Sequence, residues 1–382
     1  MDNMPDHELL INLRKELHKF PELSGSEEMT SQRISRFLEE LRPDELVCNI
    51  GGKGLAARFK GASPGPRVMV RAELDALPID ESNDFDYRSV VPGISHTCGH
   101  DGHMVIAAGV AKYFSGRRPE RGELVVLFQP SEENGRGAYE VVNDPLFISL
   151  QPDYILALHN LPGFERNEVI LRNDVFAMAS VGMIINLKGK TSHAAEPENG
   201  ISPSNAVSRI LKELPLLTRR GQFRHFTLVT IIHARIGEVA FGTSPGNAVV
   251  MATLRAYRDS EMDKLCSSAE ELVHEVALLN ELDIEVSRTE HFPATVNDKS
   301  LNGILEQQAV KSGTGYRYIE DAFKWSEDFG WFTKKYRGLL FGIGAGKGHP
   351  ELHNPDYDFP DEIIDTGVNL LVSTGIELLR KM

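Results

Sequence analysis

The sequence predicts an α/β protein: a mixed, mostly parallel sheet with helices on both faces, interrupted by an inserted ferredoxin-like α+β domain of βαββαβ order. Three observations predict it. Short apolar runs at Arg67 to Ala72, Glu123 to Phe128, Tyr154 to Leu158 and Gly338 to Ile343 are separated by helical or Gly/Pro-rich segments, the texture of parallel strands buried on both faces. The middle of the chain changes to a different order of elements, the split-βαβ plan. A length of 382 residues suits two domains, or one large domain with an insertion, at roughly 100 to 200 residues per domain.

At the start, Leu9, Leu10, Leu13, Leu17 and Phe20 lie at helical spacing until Pro21 stops the pattern. Ser24 and Glu27 fit a capping box opening a second helix through Ile34, Phe37, Leu38 and Leu41 to Pro43. The first apolar strand follows, and a further helical run spans Met104 to Phe114. The insertion begins with a strand at Val181 to Leu187. It continues with a helix opening at Ser202-Pro203 that sets Ala206, Val207, Ile210, Leu211 and Leu214 on one face. Strand-like segments cover Phe226 to Ile236 and Ala248 to Tyr257. A long helix from near Ser260 carries Met262, Leu265, Ala269, Leu272, Val273 and Val276, and Ile284 to Val286 closes the set. The predicted division is an α/β domain made from 1–177 and 289–382, with 178–288 inserted in it.

Composition excludes several classes. Hydrophobic residues make up 41% and charged ones 25%, enough apolar matter for a substantial core and unlike a disordered chain. The formal charge of −14 repels phosphate backbones and anionic lipid, so neither nucleic acid nor a membrane is an expected partner. No apolar run approaches the roughly 18 residues that cross a bilayer, and Met1 to Asp6 lacks the basic and apolar parts of a secretory signal. Cys48, Cys98 and Cys266 are too few and too scattered for a disulfide framework, which suits a reducing, cytoplasmic setting.

The densest chemistry lies in Ser95-His96-Thr97-Cys98-Gly99-His100-Asp101-Gly102-His103, several metal-competent donors on one loop at a helix start. Cys98 and His100, two apart in extended backbone, would face the same way. Glu132-Glu133 follows a strand directly; as neighbours in extended backbone they would point oppositely, one to a metal and one to the substrate water. Other doublets, Glu27-Glu28, Glu39-Glu40 and Glu270-Glu271, read as solvated charges. His159 ends a strand and His353 lies about ten residues beyond another. Taken singly each is an ordinary histidine, but all these segments adjoin strand ends, where ligands collect in open α/β sheets. Together they offer donors for two transition-metal ions sharing a bridging water. Asp75, just past a strand, and Glu327-Asp328 are candidates to hold the remote ring N–H of a metal-bound histidine.

These residues, with Glu16-Leu17-His18-Lys19-Phe20-Pro21-Glu22-Leu23, Arg71 to Pro78, Gly189-Lys190-Thr191-Ser192-His193-Ala194-Ala195, Ser326-Glu327-Asp328-Phe329 and Leu352-His353-Asn354-Pro355, resemble the successive motifs of the aminoacylase and carboxypeptidase-type metallohydrolases. The chain is most similar to the subgroup with hippurate hydrolase, N-acyl amino acid amidohydrolases and indole-acetyl amino acid hydrolases. The resemblance implies that Cys98, His100, Glu133, His159 and His353 hold a dinuclear centre of Zn, Mn, Co or Ni, with Glu132 as general base. It also implies that His193, in the inserted domain, reaches the active site of a partner subunit in a homodimer and donates to the oxyanion. Two positions depart from the pattern. Glu73 replaces an aspartate, and Gly242-Thr243-Ser244-Pro245 replaces Asn-Val-Ile-Pro when Arg255 is kept in register. Asn247 is the candidate substitute for the missing amide, and Arg255 the candidate carboxylate clamp.

The expected reaction is hydrolysis of the amide in an N-acyl amino acid or similar small amide. Two rivals stand beside it. A dipeptidase or aminopeptidase would need an acidic group to meet a free α-amine. A catalytically silent sensor would use the same metal-bound cleft only to bind.

Overall fold

In the computed structural model, residues 7–219 and 221–381 are described; the reading of Met1 to Asp6 lies outside them. Contacts within the chain group it into two compact units. One comprises residues up to Phe176, Thr295–Asp321 and the segment from Asp328 onward; the other comprises Ala177–Ala294 and Ala322–Glu327.

The first unit is a mixed α/β layer structure around an eight-stranded sheet. Across the sheet the order is Glu45–Ile50, Gly54–Lys60, Glu123–Gln129, Arg67–Glu73, Tyr154–Pro162, Arg337–Gly346, Val169–Leu171 and Tyr316–Tyr318. The central pairings are parallel: Arg67–Glu73 with both of its neighbours, and Tyr154–Pro162 with Arg337–Gly346. The first two strands form an antiparallel hairpin joined antiparallel to Glu123–Gln129.

The apolar runs work as the sequence suggests. Val68, Val70, Ala72, Leu124, Val126, Phe128, Leu156 and Leu158 face one cluster, while the alternate residues Met69, Val125, Leu127, Ile155 and Ala157 are equally buried on the other side. Each of these side chains larger than alanine contributes about 1.5–3 kcal/mol by leaving water. Three helices of this unit bear on the site: α1 (His7–Lys19), α2 (Glu28–Glu40) and α3 (His100–Gly116). Leu10 and Leu17 of α1 join the same cluster as Met104, Ala108 and Phe114 of α3 and Val368 and Leu371 of the helix Ile364–Leu379.

The start of α2 corrects the capping-box expectation. The helix begins at Glu28, and Ser24 does not cap it. The Glu22 carboxylate accepts from the backbone N–H groups of Met29 (3.2 Å) and Thr30 (2.7 Å), because a carboxylate six residues upstream can fold back onto the orphan donors of the first turn. Glu27 is also not a solvated charge: it is fully buried.

The second unit carries four antiparallel strands in the spatial order Thr227–Ile236, Asn247–Ala256, Ala179–Lys188 and Asp283–Phe292. Helices Ser204–Glu213 and Asp259–Leu279 fall between them in the chain. Among the described residues no helix is long and apolar enough to cross a membrane.

Candidate metal centre

The centre grows from the carboxyl ends of the parallel strands. Gly99 caps α3 in the left-handed region, φ +90°, and a Cβ there would fall 2.7 Å from the Asn160 amide. Only glycine fits. This turn, rather than the extended backbone expected from spacing, sets Cys98 immediately before the helix and His100 in its first position. His100 donates from Nδ1 to the Asp75 carbonyl oxygen at 2.8 Å, which aims Nε2 inward, where it makes no hydrogen bond. That nitrogen lies 3.8 Å from Glu132 and 3.7 Å from Glu133.

The two glutamates also differ from expectation. Glu132–Gly135 is a turn, closed by Gly135 N donating to the Glu132 carbonyl at 2.8 Å, and Ser131 enters it at φ +55°. Tight turning therefore brings both carboxylates to one imidazole instead of splaying them to opposite sides.

His159 lies inside the strand Tyr154–Pro162 rather than after its end. Its Nδ1 donates to the Asn160 carbonyl at 2.9 Å, leaving Nε2 3.6 Å from the Cys98 sulfur. His353, at φ +66°, is tied to the same loop by its N–H donating to the Thr97 carbonyl at 2.9 Å, and its Nε2 is 4.0 Å from Glu133. The donor atoms of Cys98, His100 and His159 lie within 4.8 Å of one another. So do those of Cys98, Glu133 and His353, and those of His100, Glu132 and Glu133.

The electrostatics match a cation site. Burial opposes charge on His100, yet its Asp75 hydrogen bond and the charges of Glu73 and Glu133 raise its pKa to about 10, so this position draws positive charge. His159 goes the other way, pushed down to about 3 by burial and by His103, and stays the neutral imidazole a metal requires. A buried Nε2 without a hydrogen bond, flanked by carboxylates, a thiol and other imidazoles, fits a first-row transition metal.

Asp75 stands where expected, but the contact with His100 is made chiefly through its backbone oxygen. Its Oδ2 accepts from Ser24 Oγ (2.7 Å) and Glu133 N (2.9 Å), linking α2's approach to the metal loop. Asp328 does not hold a histidine. Its carboxylate accepts from Arg71 (2.6 Å), Gln129 (2.7 Å) and Ala138 N (2.8 Å), and what it offers the site is a backbone N–H 3.4 Å from Glu132 Oε1. Glu327 belongs to the other unit.

Three supporting residues are given no part in the site by the sequence. Buried Glu27 accepts from Ser131 N at 2.8 Å and so holds the strained entry to the Glu132 turn. Glu73 accepts from His103 Nδ1 at 2.7 Å, and His103 bonds Asn160 on its other side. His103 has a usable signal as the i+3 neighbour of His100 on one helix face; Glu27 has none locally.

The remaining candidates lie in the second unit. His193 is exposed, on a two-residue strand paired with Thr243–Ser244. Asn247 is exposed beside Lys188 at the start of its strand. Arg255 donates to the Lys324 carbonyl and Ser326 Oγ, both at 3.0 Å. Gly242 accepts from Ala194 N at 3.0 Å, with open space where a side chain would go. Of the two cysteines away from the site, Cys266 is buried, and Cys48 is exposed on a strand at the sheet edge.

Thiol, imidazole and carboxylate donors gathered at the carboxyl ends of parallel strands, with an acid beside them, define a metal-dependent hydrolase. Residues 69–376 match peptidase family M20/M25/M40, and the chain belongs to that family, acting as a metal-dependent hydrolase on amides. It is 27% identical to the N-acetyldiaminopimelate deacetylase of Bacillus velezensis, covering 96% of this chain and 98% of that one. It is 29% identical to the N-acetylcysteine deacetylase of Bacillus subtilis, covering 98% of each. The solved structure of the Bacillus subtilis YxeP protein, a dinuclear metal-binding peptidase of family M20, superimposes with a TM-score of 0.83 at 25% identity, covering 98% of this chain and 99% of that one.

Proposed function

We propose that the protein hydrolyses the amide bond of an N-acyl amino acid, or a closely similar small amide, with Glu132 as general base. The observation that carries this is the meeting of Cys98, His100, Glu133 and His353 with Glu132, whose carboxylate lies 3.8 Å from His100 Nε2. The deacetylase names of the relatives support the acyl amino acid over a free peptide.

Cys98, His100, Glu133, His159 and His353 would hold two divalent ions of the Zn, Mn, Co or Ni type. Bound there, such ions would supply a water with its pKa lowered toward about 7 and polarisation of the scissile carbonyl. Glu132 takes the water proton and returns it to the departing amine, its carboxylate steadied by the Asp328 N–H. Asp75 holds the His100 ring in the tautomer that presents Nε2. His193 supplies the oxyanion donor from a partner subunit, and Arg255 and Asn247 recognise the amino acid carboxylate.

In this reading the second unit is the ferredoxin-like insertion, close to 178–288, between the catalytic halves 1–177 and 289–382. It serves as lid and dimer contact in a cytoplasmic homodimer. Its strand order and two helices support the assignment. The edge strand Thr227–Ile236 exposes Leu228 and Ile232, and Val239 and Phe241 are fully exposed just beyond it, apolar surface of the kind a second subunit covers.

Glu132→Gln is expected to lower turnover of an N-acetyl amino acid about 10²- to 10⁴-fold while the purified protein keeps its full metal content. Undiminished turnover would remove Glu132 from the mechanism. Loss of the metal along with the activity would make it a ligand instead.

A further inference from the structure

Behind the metal centre lies a second cluster of charges that the reaction does not use. Arg14 and His18, one turn apart on α1, are both fully buried, a costly placement unless each cation is paired. His18 bonds Asp101 through Nδ1 at 2.9 Å and Glu81 through Nε2 at 3.1 Å. Arg14 reaches Asp101 at 3.3 Å, Asp358 at 2.6 Å and Asp361 at 2.7 Å. Tyr87 adds a hydroxyl on the other oxygen of Asp358 at 2.6 Å. Burial works against the charge on His18, but the bond and charge of Asp101, with Glu81, raise its pKa to about 9, so both α1 residues are cations at neutral pH.

The partners are not scattered. Asp101 directly follows His100 in α3, Glu81 lies six residues beyond Asp75, and Asp358 lies five beyond His353. Two side chains on one helix turn thus fasten three separate segments, the start of α3 and two loops, each carrying a residue of the site. The carboxylates outnumber the cations, so the loops repel one another unless Arg14 and His18 are in place.

We propose that Arg14 and His18 are positioning residues for the metal centre: an ionic staple on α1 that sets the separation of the Asp75, His100 and His353 loops and so tunes metal affinity. The proposal rests on the metal-centre reading above. It also gives a part to His18 of the Glu16 to Leu23 motif, which the catalytic chemistry leaves without one.

The test measures Zn²⁺ affinity of the full-length protein by chelator competition, alongside kcat and KM. Arg14→Lys keeps the charge but loses the fork that spans three carboxylates. Its Zn²⁺ affinity should fall about 10- to 100-fold, as for other outer supports of metal sites, and at saturating Zn²⁺ KM should stay near the wild-type value while kcat falls. Leu10→Ala on the same helix removes core packing without touching the staple; it should lower the unfolding temperature and leave Zn²⁺ affinity within about twofold of wild type. Equal affinity in Arg14→Lys and wild type, or an equal loss in Leu10→Ala, overturns the proposal. Should Arg14→Lys fail to fold, Tyr87→Phe takes its place, with a smaller loss of affinity expected and an unchanged affinity overturning the proposal. A wild-type protein that binds no Zn²⁺ would instead sink the metal-centre reading itself.

Discussion

The two units hold their candidate residues in opposite ways. In the first, every residue of the metal centre except half-exposed His353 is buried or nearly so, and most are held by partners from another segment: His100 by Asp75, the Ser131–Glu132 turn by Glu27, the His353 loop by Thr97. In the second, His193 and Asn247 are exposed on short or peripheral strands; the His193 ring accepts from Ala195 N, two residues away, at 3.1 Å, and Arg255 donates to the Lys324 carbonyl and Ser326 Oγ. Buried polar networks fix geometry because an unpaired partner is expensive; exposed side chains can change at small cost to the fold. On the function proposed above, the first unit fixes the reaction and the second is where substrate choice can vary.

The largest effect that bears on this contrast belongs to His193. If it supplies the oxyanion donor, His193→Ala should lower kcat about 10²- to 10³-fold with metal content and unfolding temperature unchanged, as expected of a side chain with few contacts. Mixing His193→Ala with Glu132→Gln chains should restore activity, since one mixed site has both residues. Failure to restore it after verified subunit exchange would confine His193 to its own chain, and an unchanged kcat in His193→Ala would remove it from the reaction altogether.

Glu27→Gln should act more weakly and in the other unit. The amide still accepts from Ser131 N, but it cannot carry charge, and it adds two donors at a fully buried position. A loss of about 10- to 100-fold in kcat, with KM little changed, is expected of a residue that orients the base from behind. An unaltered kcat would show that the Glu132 turn holds itself, weakening the case that the buried network is what makes this unit rigid.

Glu27 also marks where the sequence stops being legible. The strands can be read because their apolar residues are buried on both faces, a property written locally in runs such as Leu124 to Phe128. The metal donors can be read because thiol, imidazole and carboxylate side chains are rare in such company. Their geometry cannot: it depends on Gly99 and His353 adopting positive φ and on Ser131 turning sharply, none of which alternation or spacing encodes. The hairpin Glu45–Ile50 and Gly54–Lys60 leaves no comparable run, because its outer strand is half exposed and irregular, with a shift in register between Cys48 and Ile50. In sequence Glu27 is one of several acidic doublets, and only its tertiary contact with Ser131 separates it from Glu39 and Glu40.

The smallest effect should come from Gly242. A side chain there meets open space, and the segment is paired to the His193 strand through Thr243, so Gly242→Asn should leave the unfolding temperature within about a degree, as for most surface changes. One added amide that reaches a substrate oxygen is a single hydrogen bond, about 0.5–1.5 kcal/mol, or roughly a 2- to 12-fold fall in KM for N-acetyl amino acids with kcat nearly constant. A change in KM that depends on the amino acid and not on the acyl group would assign the segment to carboxylate recognition. No change in either constant would leave Asn247 as the amide in use, which Asn247→Ala should then reveal as a rise in KM of the same size.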